Sequence, residues 1–238
     1  MEKYLIFCLY GPLAAWGDIA VGEYRPSFAH PSKSAVVGLL AAALGIHRDN
    51  VEQQKKLATA CSFAVRVDAI GTLLRDYHTS QVPSAKKGVT HYTRRSELAA
   101  GDLSTILSSR DYRCDAAYTV AIKVRAGAEY TAQQLADALL KPIFTLYLGR
   151  KSCPLALPLQ PRVDSFATLK EALATVTLDD DELPGVAQDS HVSIYWEEDQ
   201  VSGFEYERVI TRRDTPLSRT RWQFGERREN HCTIRKGE

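Results

Sequence analysis

Residues Tyr4 to Tyr10 read YLIFCLY, apolar on both alternating faces. Successive side chains of a strand point to opposite sides, so such a run must be covered above and below. It predicts a central strand, ended by the breaker pair Gly11-Pro12. The 45% hydrophobic content of the 238-residue chain can furnish the layers that cover it.

The rest of the chain supplies those layers. An irregular stretch from Leu13 to Pro31 holds Trp16, Tyr24, Arg25, Phe28 and His30. A helix then runs from Ser32 or Ser34 as N-cap to Gly45, with Val36, Leu40 and Leu44 on one face. A more polar helix follows over Asp49 to Ala60. Phe63, Val65 and Val67 alternate in a half-buried strand, and Tyr118, Val120, Ile122 and Val124 do so in another. Thr131 opens a helix that Pro142 closes, and Thr145 to Leu148 offers a last strand. Strand, helix, strand, strand, helix, strand is the βαββαβ order of a ferredoxin-like domain, of α+β class.

One insertion interrupts that order. Residues 72–115 are too long for a hairpin turn, and connections of this length are usually functional or disordered. Its arms, Thr72 to Val82 and Thr105 to Cys114, are strand-capable, so a projecting hairpin is expected. After Pro154, Pro158 and Pro161 the character changes. Asp164 to Val176 reads as a short helix and Asp179 to Pro184 as an acidic loop. His191 to Trp196, Gly203 to Arg212, Thr220 to Phe224 and Asn230 to Arg235 read as short strands. The expected division is 1–153, carrying the insertion, and a small β-rich domain over 154–238.

Several functions are disfavoured at once. The longest apolar run, Ala35 to Ile46, falls short of the roughly 20 residues that span a bilayer. The N-terminus lacks the pattern of a signal peptide, and the five cysteines are scattered without a CxxC. Isolated thiols in the cytoplasm are expected, with no metal and no cofactor. Phosphate-loop, dinucleotide, zincin and hydrolase-elbow motifs are absent.

The formal net charge of +1 hides a partition. Residues 1–163 carry 20 basic and 13 acidic side chains, residues 164–207 one against 12, and residues 208–238 nine against four. Two basic blocks flank an acidic one, so near-neutrality does not exclude nucleic acid.

The candidate residues lie in these blocks. Pro31-Ser32-Lys33-Ser34 stands at a helix entrance, where free amides, hydroxyls and Lys33 suit an anion, or a plain cap. Tyr147-Leu148-Gly149-Arg150-Lys151 lets backbone approach a ligand at Gly149, with Arg150 and Lys151 on either side of a phosphodiester; a basic surface turn is the plain alternative. The insertion interleaves Tyr77, His78, His91 and Tyr92 with Arg75, Lys86, Lys87, Arg94 and Arg95. Rings that stack on bases and cations that follow a backbone suit single-stranded nucleic acid. Arg25 adds a cation from the irregular stretch. Arg208 to Lys236 is basic, yet its alternation also fits a solvated strand face. Glu197-Glu198-Asp199 reads as solvated acids or a protein contact rather than a metal site.

YLIFCLYGPLAAWG, RPSFAHPSKSAVVGLLAAALGI, RDYHT, CDAAYTVAIKV and KPIFTLYLGRKSCP, in this order from about residue 4 to residue 154, together resemble the CasD-type branch of the fifth Cas protein family. These are subunits of Cascade, the type I-E CRISPR surveillance complex. The resemblance implies a ferredoxin-like, RRM-related domain with a protruding β-hairpin thumb and a smaller β-rich domain. It implies binding of the crRNA 5′ handle, capping of the CasC backbone and contact with the large subunit CasA, with target DNA met only through the complex. The matching positions here are the Tyr77–Arg113 arch, Pro31–Ser34 and Tyr147–Lys151. A type I-C branch cleaves repeat RNA without metal, and the arch holds Tyr, His and Lys side chains that could serve as acid and base. The likeness to the type I-E branch, where another subunit processes the RNA, implies no catalytic residue. A free-standing RNA chaperone is the third class that the fold alone allows.

Overall fold

The computed structural model describes residues 1–176, 178, 186 and 190–235. In chain order its elements begin with β1 (Glu2–Ala14), β2 (Tyr24–Arg25), α1 (Lys33–Ala43), α2 (Val51–Ala60), β3 (Cys61–Ala69), β4 (Thr72–Pro83) and α3 (Arg94–Leu98). They continue with β5 (Leu103–Val124), α4 (Ala132–Leu140), β6 (Arg162–Phe166), α5 (Leu169–Ala174), β7 (His191–Glu197), β8 (Arg208–Ser218) and β9 (Gln223–Arg235).

The apolar run lies in β1 and is covered on both faces. Leu5, Phe7 and Leu9 join Phe63, Val65, Tyr118 and Val120 under Val36, Val37 and Leu40 of α1 and Leu135 and Leu139 of α4. Tyr4 and Ile6 point the other way, onto Leu169 and Leu173 of α5 and Trp196 of β7. The layers form around one largely antiparallel sheet in the order β6-β1-β5-β3-β7-β9-β8, with β2 and β4 added on β5. The fold is therefore mixed α/β with a large antiparallel sheet and few helices.

Local chemistry accounts for the helix ends. The Ser32 hydroxyl accepts the Ala35 amide at 3.1 Å to start α1, and Gly45, at φ +73°, follows its last turn. Thr131 and Gln134 form a reciprocal capping box on α4.

Some segments depart from the sequence reading. Thr145 to Leu148 forms no sheet strand; Tyr147 makes only an isolated bridge to Pro154, and Arg162–Phe166 takes the edge beside β1. Asp164 to Val176 is divided between β6 and α5, with Thr168 capping the helix. Residues Thr220 to Trp222 form the turn into β9 rather than a strand of their own. The sheet also crosses the expected boundary near residue 154, because β7 pairs with β3 from Ala64↔Trp196 to Val67↔Ser193. The acidic segment Asp179 to Pro184 lies outside the described residues.

The 22 residues of β5 have two roles. Ala116 to Val124 fills the gap between β1 and β3, while Leu103 to Cys114 pairs with all of β4, from Thr72↔Cys114 to Pro83↔Leu103. At the junction Asp115 has φ 54° and Gly71 has φ 65°. A Cβ on Gly71 would fall 2.2 Å from the Cys114 carbonyl oxygen, so only glycine fits there. Beyond this point the ladder leaves the core. Most of its side chains on both faces are exposed, including Leu73, Leu74, Ile106 and Leu107.

Candidate nucleic-acid interface

Register assigns each hairpin side chain to a face. Arg75, Tyr77 and Thr79 share one with Asp111, Ser109 and Leu107; Asp76, His78 and Ser80 share the other with Arg110, Ser108 and Ile106. Tyr77 and His78 therefore point to opposite sides. His78 contacts the Asp76 carboxylate on its own face.

The hairpin is braced at its base. β2 runs parallel to β5, with Tyr24 beside Ser109 and Arg25 beside Arg110. Arg75 Nε donates to Asp111 Oδ1 at 2.9 Å, and its Nη2 to the Tyr24 hydroxyl at 2.8 Å. The Tyr24 hydroxyl in turn donates to Asp111. The hydrogen bond from Arg75 is the chief influence holding the Asp111 carboxyl below its ordinary pKa. From the other side Arg150 donates to the Asp111 carbonyl at 3.1 Å and the Arg25 carbonyl at 3.2 Å, its guanidinium 4.7 Å from the Tyr112 ring centroid. Arg25 and Arg150 thus meet at the hairpin base, with Arg150 acting as a brace. Lys151 beside it is exposed.

The tip is different. Arg94 is occupied, pairing with Glu97 at 2.7 Å and donating to the Gln81 carbonyl. Among the described residues no carboxylate pairs with Lys86, Lys87 or Arg95, which are exposed. Tyr92 is 90% exposed and Tyr77 61%, far beyond what packing of these rings would leave. His91 is half-buried beside them.

The entrance of α1 corrects a reading. Lys33 is only 4% exposed, and its ammonium donates to Glu197 Oε1 and Oε2 at 2.8 and 3.0 Å. Its backbone amide donates to Asp214 Oδ2 at 2.9 Å. The chain's own carboxylates occupy the positive end of this helix, and Lys33 is withdrawn from any external phosphate. Ser34 stays half-buried, its hydroxyl 3.0 Å from that of Ser32. With Tyr147 and Gly149 it lines a cleft of about 520 Å³ between α1, the 144–149 loop and the β8–β9 turn. Gly149 has φ 84°, and a Cβ there would lie 1.9 Å from the Ala15 carbonyl oxygen.

Two further readings change. Within the basic run Arg208 to Lys236, Arg212 and Arg227 are not on a solvated face but buried. Arg227 donates to Asp214 at 2.8 Å and to Glu229 at 2.7 Å, while Arg212 Nη1 lies 3.1 Å from His30 Nε2. Glu197 and Asp199 are likewise not free acids, for Asp199 pairs with Arg125 at 2.9 Å. Of the cleft's own residues, Arg219 was legible only as a member of the basic run Arg208 to Lys236, while Arg48 and Trp222 carry no sequence signal of a site.

The family model for CRISPR-associated protein (Cas_Cas5) matches residues 4–229. The chain belongs to this family. The CRISPR system Cascade subunit CasD of Escherichia coli (strain K12) is 40% identical to this Cas_Cas5 chain over 167 residues, 67% of it and 70% of the relative. Among solved structures, a chain of a CRISPR RNA-guided surveillance complex superposes with TM-score 0.65 at 26% identity, covering 98% of this chain and 89% of its own. A crystal structure of a Cas protein matches with TM-score 0.65 at 27% identity, over 98% and 95%. The matched span begins within β1 and ends about halfway along β9, so family membership extends well past residue 154.

Proposed function

We propose that this Cas_Cas5-family chain is a non-catalytic, RNA-binding subunit of a Cascade-type CRISPR surveillance complex. It binds the 5′ handle of crRNA and caps the CasC backbone, meeting CasA beside it and target DNA only through the assembly. The observation that carries RNA binding is the hairpin: exposed Tyr77 and Tyr92 alternate with the unpaired cations Lys86, Lys87 and Arg95 on an arm without a core. Stacking rings and backbone-following cations are what a single strand requires. The relationship to CasD supports the assembly. The cytoplasm is the location that goes with this reading.

The segment order β6-β1-β5-β3, with helices following β1 and β5, supports a ferredoxin-like unit with the hairpin as its thumb, whose fourth strand comes from Arg162–Phe166, past the expected bound at residue 153. The strands β7 to β9 are then a small β-rich unit that continues the same sheet.

Metal-free cleavage of repeat RNA is the competing reading, favoured by the half-exposed His78–Asp76 pair. Against it, Tyr77 and His78 lie on opposite faces of β4 and cannot converge on one phosphate from a flat ladder. Affinity purification from cells that carry a CRISPR array should recover crRNA and CasC-like partners; tight RNA binding without them would favour a free-standing RNA chaperone. Incubation with repeat RNA in EDTA should leave the RNA intact. Specific cleavage that disappears in His78→Ala would overturn the non-catalytic reading.

A further inference from the structure

The cleft beside α1 is built for more than a passing backbone. One wall is the small and apolar strip of Ala35, Gly38 and Ala42. Facing it, the β8–β9 turn presents Trp222, 58% exposed and held at φ 52°, with Phe224 beside it. Two guanidiniums border it. Arg48 lies 4.6 Å from the Trp222 ring centroid. Arg219 reaches over α1, donating through Nη2 to the Ser34 carbonyl, and its buried Nε has no partner. Gly38 makes room for it, because a Cβ there would come within 3.3 Å of Nη2.

Charge at this cleft is unbalanced. Among the described residues no carboxylate pairs with Arg48 or Arg219. Burial, and after it the neighbouring Arg48, lower the Arg219 pKa. The one acid of the lining, Asp18, accepts the Ile19 amide at 2.7 Å. A flat apolar slot, an open indole and two cations, one with an unfilled donor, match a planar base joined to a phosphate. An apolar ligand would leave the guanidiniums unanswered, and a bare anion would not use the slot.

We propose that this cleft seats a single nucleotide of an RNA strand, its base between α1 and Trp222 and its phosphate between Arg219 and Arg48. The assignment rests on the RNA-binding reading and adds a site separate from the hairpin. The seat selects a splayed nucleotide, so it fixes one position of the bound strand rather than adding general affinity.

Trp222 provides its own readout, because Trp16 and Trp196 are each only 2% exposed. Short oligoadenylate and oligouridylate, with AMP as the mononucleotide, would be titrated against the full chain while tryptophan emission and RNA anisotropy are followed. Saturable change in emission is expected with the oligonucleotides, lost in Trp222→Phe and shifted to about tenfold higher concentration in Arg48→Gln, Arg219→Gln and Gly38→Val. Arg48→Gln leaves the Ser34 contact in place, so it serves if the Arg219 variant does not fold. RNA binding by anisotropy with silent Trp222 emission and unaltered variants would overturn the seat and leave RNA binding standing. Equal affinity for AMP and the oligonucleotides would overturn its assignment to a strand. Absence of any RNA binding would overturn the broader reading and the seat with it.

Discussion

The Lys33 ammonium donates to both carboxylate oxygens of Glu197, at 2.8 and 3.0 Å, joining the first turn of α1 to β7 across 164 residues of sequence. Glu197 Oε2 also accepts the Phe63 amide at 2.8 Å. Removing one member of such a buried pair strands the other charge, at about 3–5 kcal/mol. Lys33→Met should therefore lower the urea midpoint sharply while the folded fraction keeps its RNA affinity. Normal stability with lost RNA binding would return Lys33 to the ligand site.

At the hairpin tip, Lys86→Gln, Lys87→Gln and Arg95→Gln should each weaken RNA binding and flatten its salt dependence. The slope of log affinity against log salt should fall by about 0.7 for each phosphate contact removed. Tyr92→Ala should cost about 1–3 kcal/mol of affinity with the slope unchanged, as loss of stacking does. Slopes that stay constant in all three cation variants would take the tip out of the RNA path.

Gly149→Ala should destabilise the chain without any change of charge. A methyl group would have to sit 1.9 Å from the Ala15 carbonyl oxygen at φ 84°, so the loop must move. Ala15 donates its amide to the Leu148 carbonyl at 3.0 Å, and that contact would go with it. A backbone position strained in this way costs about 1–3 kcal/mol. Unaltered thermal unfolding would show that the loop yields freely.

His30 gives a pH signature. It is fully buried between Glu229, 3.3 Å from Nε2, and Arg212, 3.1 Å from the same atom, and it stacks on Tyr195 at 3.9 Å. Burial, the largest influence, pushes its pKa below the ordinary value. The native chain then holds fewer protons than the unfolded one below about pH 6.5, so stability falls as pH is lowered through that range. His231, whose pKa burial also lowers, acts in the same sense. Urea unfolding at about pH 7.5 and about 5.5 should show this loss, and His30→Asn should reduce it. Equal pH dependence in the variant would mean that His30 contributes nothing to it.

What the sequence revealed depended on distance along the chain. Periodicity exposed β1, α1, β3 and the two arms of the hairpin, because each is specified by neighbours within a few residues. Tyr77, Tyr92, Lys86 and Lys87 were legible for the same reason: the tip is local and faces solvent. Lys33 was not, since what buries it is an acid in β7. The alternation through Arg219, Arg221 and Gln223 fell on the turn between β8 and β9 and gave no guide to which strand side chains are covered. Arg212 and Arg227 are among the covered ones, neutralised by Asp214 and Glu229 from the same two strands. The acidic block spends Glu197 and Asp199 on Lys33 and Arg125 rather than on solvent.

The length of β5 has a mechanical consequence. The arm of the hairpin that pairs with Tyr77, Leu103 to Cys114, is the same strand whose other end is clamped between β1 and β3, with no linker between the two. It behaves as a cantilever rather than a tethered flap. Load applied at the tip by a bound strand or neighbouring subunit is taken up at Asp115 and Gly71, where the ladder enters the core. Its aim is thereby set by the packing of the sheet's centre, and a change at Ala116 or Ala117 should redirect the tip without touching any residue on it.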